Sequence, residues 1–367
     1  MRKSVMLSSL LAALLWAVAL WPGAAWSGPL DEIIAGSKKE GTVSVMLRAG
    51  FTPKSIARLE KGVKDMFGVD LKIKFSPTRS MTRELSKAIM EHRQGVPPTY
   101  DLMSFSDHVA QGSREDIFEH VDWRSLLTRQ MNTGVLNELP DMRDGIIYYT
   151  GQLGLMYNPD KIPADKVPRS LEDLANPKWK QKLGMFSSPN SWSRWAFLLG
   201  KEKLYSQLRG ILKNEPIQGR YVDIYNRYLL GEVSMCFLSS AYLKMARDKG
   251  VPASWQSLDF ADIREYSSVV LKGARHPQSA KLVALYLASA EGSSFTLDES
   301  GSGNMYYPGN YEHDLSQQNK QQGVREFFSL RSPELFEFYA SKEANEWKKE
   351  IQLILQTGGT AKAKKKK

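Results

Sequence analysis

The chain repeats one hydrophobic rhythm several times: a run with apolar residues every three or four positions, a glycine, then a run alternating in twos. Asp31–Glu40 reads as a helix closed by Gly41, and Thr42–Leu47 as a strand. Thr52 followed by Pro53 supplies an N-cap and a proline at the first helical position. The helix that follows, Lys54–Phe67, places Ile56, Leu59, Val63 and Met66 on one face and stops at Gly68. Val69, Leu71, Ile73 and Phe75 alternate as the next strand, Met81–Arg93 is helical again, and Tyr100–Phe105 is a third strand. This βαβαβ order predicts a parallel sheet covered by helices. Ligands of such sheets bind beyond the carboxyl ends of the strands, so the loops Arg48–Phe51, Pro77–Ser80 and Ser104–His108 are the ones to watch.

The stretch Gly145–Pro163 reads as strand, break, strand. Ile146 to Tyr149 are β-branched or aromatic, Leu153, Leu155 and Tyr157 alternate, Thr150-Gly151 interrupts, and Asn158-Pro159 turns the chain. Such a unit near the middle of a two-lobed protein serves as a hinge; the alternative is a buried hairpin. Beyond it, Ser170–Ala175 predicts a short helix, Leu183–Phe186 a strand, and Ser187–Ser193 a polar loop opening a helix that runs through Trp195–Leu199. Helices over Tyr221–Leu230, Tyr242–Lys249, Pro277–Ala290 and Ser332–Gln356 follow, with strands at Val233–Leu238 and Tyr266–Leu271.

Length and composition refine this picture. At 367 residues the chain has room for two domains. Arg2 and Lys3, the uncharged run Met6–Leu20 and the small residues around Ala25-Trp26-Ser27 predict a signal peptide over 1–27, with Gly28 first in the mature chain and a periplasmic destination. No cysteine follows that run, which excludes a lipoprotein. Five lysines crowd the end (Lys362, Lys364, Lys365, Lys366 and Lys367), so 358–367 is expected to be a disordered tail. Without these and the two N-terminal charges, the net +10 falls to +3, which is not a nucleic-acid-binding balance. The single cysteine, Cys236, sits in the apolar run VSMCFL and reads as a buried small hydrophobe. The five histidines have no metal-ligand spacing, and the nucleophile-elbow, Walker and dinucleotide motifs of enzymes do not occur. Asp262 and Glu265 read as carboxylates on a helix surface.

In order, VSVMLRAG, YDLMSFSD, LGLMYNPDKIP, LANPKWKQKLGM, GEVSMCFLSSAY and SSVVLKGARHPQSAKLVALYLAS resemble the periplasmic solute-binding proteins of bacterial ABC importers, and most of all the branch that includes the ferric-iron-binding proteins. The resemblance implies an α/β, two-lobed type II periplasmic-binding fold with crossing hinge strands and a cleft between the lobes. One lobe would span 28–146, completed by about 266–305; the other would span 147–265, completed by about 306–357. It also implies a non-enzymatic monomer that needs no cofactor, binds a small-molecule ligand and passes it to an inner-membrane permease. Ferric members use adjacent tyrosines after a strand like Val233–Leu238; here the place reads Ser239-Ser240-Ala241-Tyr242, so Tyr242 alone matches. The family carboxylate falls at or beside Ser106, with Asp107 next to it, and Arg48 stands where some members have a histidine. Hard Fe(III) wants anionic oxygen ligands, so these departures make ferric ion the second reading.

The loops offer guanidinium and hydroxyl groups suited to carboxylate, phosphate or phosphonate. The candidate ligand-binding residues are Arg48, Thr78, Arg79, Ser80, Ser104, Ser106, Tyr149, Asn190, Ser191, Trp192 and Tyr242, with no catalytic or metal-ligating set among them. Ser193 and Arg194 lie beside them, and His108 is the one histidine near a cleft loop. The expected function is capture of a small anionic or oxyanion-bearing solute. A membrane-sensor module on the same cleft, a secreted enzyme on the same scaffold, and a protein acting through its Lys-rich tail are the rivals.

Overall fold

The computed structural model describes residues 28–48, 51–78, 80–106, 114–139 and 143–358. The expected signal peptide, Arg79, Asp107, His108, residues 359–367 of the tail and the side chain of Arg48 lie outside the described residues. Among the described residues no helix is long and apolar enough to cross a membrane.

The first half follows the predicted rhythm: α1 (Pro29–Glu40), β1 (Thr42–Arg48), α2 (Pro53–Phe67), β2 (Lys72–Thr78), α3 (Met81–Arg93) and β3 (Leu102–Phe105), then a short α4 (Trp123–Leu126). In α2 the Thr52 hydroxyl accepts from Ser55 N at 3.2 Å, and Gly68 closes the helix at φ 66°. Its buried side chains, Ile56, Leu59, Val63 and Phe67, recur every three or four residues and meet the sheet. Gly62 on the same helix lies under the Tyr286 ring, where a Cβ would come within 2.2 Å of the hydroxyl, so only glycine allows this approach.

The central stretch forms one strand, β4 (Gly145–Tyr157), rather than two. The interruption expected at Thr150-Gly151 is replaced by a register shift one turn of the pleat earlier, between Ile147 and Tyr149. A bulge adds a residue without ending the ladder, which is why the composition signal and the structure differ. Then come α5 (Leu171–Leu174), β5 (Leu183–Phe186), α6 (Pro189–Leu199), α7 (Lys201–Leu212), β6 (Ile217–Gly219), α8 (Tyr221–Leu229), β7 (Met235–Ser239), α9 (Ala241–Asp248), β8 (Ser254–Gln256) and β9 (Ala261–Val270). The chain finishes with α10 (Pro277–Ala288), α11 (Ala290–Ser300), α12 (Tyr311–Gln321), β10 (Glu326–Phe328), α13 (Pro333–Ala340) and α14 (Lys342–Thr357). The sequence reading leaves α4, α7, α11 and α12 unassigned and runs α13 and α14 together; Ser341 separates them, capping α14 through its hydroxyl to Ala344 N at 3.1 Å.

The strands form one sheet in the order β2-β1-β3-β9-β4-β7-β5-β6, with β8 added to β4 and β10 to β9. β4 and β9 run antiparallel from Gly145↔Val269 to Leu153↔Asp262. Near one end β9 also pairs with β3, and near the other β4 pairs with β7. Each long strand therefore belongs to both halves of the molecule. Alternate residues feed opposite faces. Val45 joins a core with Leu59 and Leu285 while Met46 joins one with Leu85 and Phe105. On the far half Leu155 joins Trp195 and Phe237 while Met156 joins Cys236 and Trp255. The end of the chain is divided: Leu330 and Phe336 pack in the first half, Ile351 and Ile354 in the second.

Where the strands cross, Asp262 and Glu265 lie on β9 with no solvent exposure, not on a helix surface. Glu265 accepts from Tyr306 Oη at 2.8 Å, Arg331 Nε at 3.0 Å and Leu330 N at 3.3 Å. Thr150, its partner across the ladder, receives Met305 N on its hydroxyl at 2.9 Å. Segments around 305 and 330 are thus tied to the crossing point by bonds that satisfy a buried charge. Arg331→Ala removes the cation from that carboxylate and is expected to cost about 2–3 kcal/mol, read as a lower urea midpoint at unchanged slope.

Glu312, in the first turn of α12, is fully buried. It accepts from Ser240 Oγ and, at 3.4 Å, from Gln152 Nε2. Burial pushes its pKa from 4.5 up to about 7, against the lowering effect of these donors. Its neutral form is favoured in the folded state, so its contribution is fully present below the ordinary carboxyl value and is lost as pH rises through about 7. Glu312→Gln should therefore gain stability relative to wild type between pH 5 and 7, with the difference level above that range, as roughly set by linkage; melting temperatures across a pH series check this.

Candidate functional site

A cavity of about 60 Å³ opens at the crossing, beyond the carboxyl end of β7. β4 supplies Tyr149 to Leu153, β9 supplies Arg264 and Tyr266, and the second half closes it with Ser239, Tyr242 and Tyr221. Ser302 and Tyr311 complete the wall, and among the described residues no carboxylate lines it. Tyr149 and Tyr266 face each other across the ladder and stack at 4.1 Å with rings 10° from parallel. The bulge before Tyr149 shifts the ladder just ahead of this pair. Tyr225 holds Tyr242 from behind at 4.9 Å.

Among the described residues Arg264 is the only charged one in the lining. One of its terminal nitrogens is 3.4 Å from Asp262 Oδ2. That carboxylate is already occupied: Arg194 Nη1 donates to Oδ1 at 3.1 Å and Trp195 Nε1 to Oδ2 at 3.1 Å. Two guanidiniums share one buried carboxylate, so the group carries one excess positive charge. Arg264 Nε is buried without a hydrogen-bond partner. The Tyr221 hydroxyl is buried without one too; Ser191 lies beside it but makes no well-formed bond. Burial pushes the Tyr221 phenol above its ordinary value, which keeps it neutral and able to donate. Unsatisfied donors in a buried site are costly until something accepts from them.

The structure brings some predicted residues here and disperses others. Tyr149 and Tyr242 line the cavity, and Ser191 touches its edge through Tyr221. Thr78 is buried at the end of β2, its hydroxyl accepting from Ser80 N at 3.1 Å, while Ser80 is exposed and caps α3. Ser104 is sealed in the first core, 2.6 Å from the Tyr148 hydroxyl, and so is not a ligand group. Ser106 follows β3 half-buried, and Asn190 is exposed on the first turn of α6. Trp192 is a core residue, not a cleft wall: it packs on Phe186 at 4.6 Å and donates Nε1 to Phe186 O at 3.0 Å. The reason is an earlier helix start. Ser188 caps α6 and Pro189 takes its first position, so the expected polar loop is already helical and Trp192 turns inward. Arg194 is likewise interior, paired with Asp262.

Arg264, Tyr221, Tyr266 and Ser239 were not anticipated. The usable signal was the run Asp262-Ile263-Arg264-Glu265, charges inside a strand whose continuation is apolar. Cys236 is buried as expected, and burial pushes its thiol far above the reactive range. Among the described residues no three His, Cys, Asp or Glu side chains are grouped to hold a metal ion.

Residues 98–218 match the family described as bacterial extracellular solute-binding protein. Among solved structures, the chain is similar to a Trichodesmium protein (IdiA, FutA) in complex with iron and citrate, at 14% identity over 87% of this chain and 99% of that one, TM-score 0.62. It is similar to iron-bound HitA from Pseudomonas aeruginosa, at 18% identity over 84% and 99%, TM-score 0.59. It is also similar to the spermidine/putrescine ABC transporter substrate-binding protein PotD from Streptococcus pneumoniae, at 15% identity over 85% and 99%, TM-score 0.62. At such identities the shared property is the fold, two lobes joined by crossing strands. The chain thus shares the fold of these binding proteins over most of its length, and its residues 98–218 match the solute-binding family.

Proposed function

We propose that the protein captures a small anionic solute at the strand crossing and delivers it to an ABC permease in the inner membrane. The observation that carries this is Arg264, a half-satisfied guanidinium with excess positive charge in a cavity that no carboxylate lines among the described residues. A carboxylate, phosphate or phosphonate would accept from Arg264 Nε and from the Tyr221 hydroxyl. Charge-assisted bonds of this kind are short, strong and geometrically selective. Ser239 and Tyr242 wall the same cavity from the second half and would tighten on the solute as the lobes draw together. The motion would bend β4 and β9 near Thr150-Gly151 and Arg264-Glu265, between the lobes 28–146 (completed by about 266–305) and 147–265 (completed by about 306–357). Export by the segment 1–27 and action as a periplasmic monomer belong to the same proposal.

A ferric cargo is the second reading, favoured by five tyrosines, Tyr149, Tyr221, Tyr242, Tyr266 and Tyr311, around one cavity. Phenolates are hard anionic oxygen ligands, and an accompanying anion could rest on Arg264. Two of the structural neighbours hold iron, one of them with citrate.

A thermal-shift screen of the chain from Gly28 onward, against phosphonates, phosphate, organic acids and ferric citrate, separates the two. A solute at 100 times its Kd stabilises the native state by about 2.7 kcal/mol. Under the first reading an iron-free anion gives the shift, and Arg264→Ala weakens its binding about 10- to 100-fold. Equal binding by Arg264→Ala would sink that reading. Under the second, stabilisation needs iron, a phenolate-to-iron absorption band appears, and Tyr242→Phe reduces it. Tyr221→Phe is expected to lose anion affinity by roughly tenfold without loss of stability in the empty protein, because its hydroxyl has no partner there to lose.

A further inference from the structure

A second cavity, of about 250 Å³, lies at the far end of β4. Tyr157 on its wall is six residues beyond Gly151, so about 20 Å along the strand separates it from the crossing. Two arginines from separate segments line it. Arg169 precedes α5 and bonds through its backbone: its N–H donates to Asp173 Oδ2 at 2.9 Å and its carbonyl accepts from Asp259 N. Among the described residues its guanidinium carries no ion pair. Arg247, on α9, donates Nε to Ala253 O at 3.0 Å, which leaves its two terminal nitrogens available. Elsewhere on the surface Arg93, Arg124 and Arg227 each hold a carboxylate. Among the described residues no Asp or Glu lines this cavity.

The rest of the wall is amide and hydroxyl. Gln256 Nε2 donates to Gln322 Oε1 at 3.1 Å, and Gln318 Nε2 to Trp255 O at 3.0 Å, so these side chains are already placed. Their bonds cross from β8 to the end of α12 and brace the floor of the cavity. Ser254 adds a hydroxyl. The opening is below the roughly 300–1,000 Å³ typical of drug-sized ligands, which limits it to a compact guest. Guanidinium forks select planar or tetrahedral oxyanions, and two of them select two negative charges.

We propose that this cavity is a second anion site, separate from the cleft, that takes a small dianion such as a phosphate or a compact dicarboxylate between Arg169 and Arg247. α12 links the two places, since Tyr311 in its first turn walls the cleft while Gln318 near its end walls this cavity.

The test is calorimetric titration of inorganic phosphate and of succinate, at constant ionic strength set with chloride, into Arg264→Ala, whose cleft site is disabled. At least one probe should bind with saturation. Adding Arg169→Ala should weaken that event tenfold or more and leave the melting temperature without anion unchanged, because its side chain is exposed; adding Arg247→Ala should abolish it, with only the small loss of stability that giving up the bond to Ala253 O brings. Absence of saturable binding of either probe to Arg264→Ala at millimolar concentration would overturn the proposal. So would binding undiminished by Arg169→Ala, or a heat signal that chloride alone reproduces. Since Arg264→Ala is the common background, none of these results depends on whether the cleft reading holds.

Discussion

The ladder between β4 and β9 is the contact on which both halves of this protein hang. It runs from Gly145↔Val269 to Leu153↔Asp262, and every other strand is attached to one of its ends or the other. At its middle the backbone is held from the side as well as along the ladder. Glu265 is buried there with three donors, and Thr150 receives the chain again near residue 305. A buried carboxylate is tolerable only with partners that replace water, so Arg331 and Tyr306 are conditions of this crossing rather than ornaments on it. The proposed bending at the crossing would have to preserve those bonds, which would favour rotation about neighbouring backbone over sliding of one strand past the other.

One residue along β9, the balance of charge is deliberately incomplete. Asp262 is shared by Arg194, Trp195 and Arg264, and the surplus cation faces the cavity. The core side of the arrangement is rigid because Arg194 also donates Nε to Tyr339 at 3.1 Å. The cavity side is left with donors that lack acceptors. The same strand therefore alternates a satisfied charge that holds the fold with an unsatisfied one that can receive a guest, and the two-residue period of the pleat keeps them apart.

Much of the scaffold was legible because its signals are local. Thr52-Pro53 starts α2 and Gly68 ends it within sixteen residues of sequence, and the alternation at Val43 to Leu47 marks β1 directly. The site was much less legible. Its tyrosines come from positions 149, 221, 242, 266 and 311, so no spacing rule links them. Arg264 looks like any charged position in a strand until β4 and the start of α8 are laid over it. Trp192 misled for the opposite reason: its polar neighbours suggested a loop, whereas Ser188-Pro189 had already begun a helix that carries it into the core. Composition around a residue says what it could touch; helix phase decides what it does touch.

Sharing the two long strands has a consequence for how the molecule is made. The sheet of the first half has β1, β2 and β3 in hand by residue 105, yet its next strand, β9, ends only at Val270. A nascent chain must therefore hold an unfinished edge through some 165 residues of synthesis, as any non-local pairing imposes. Neither half is a folding unit by itself, and severing the backbone within β4 would leave two fragments that each lack a central strand until they find one another.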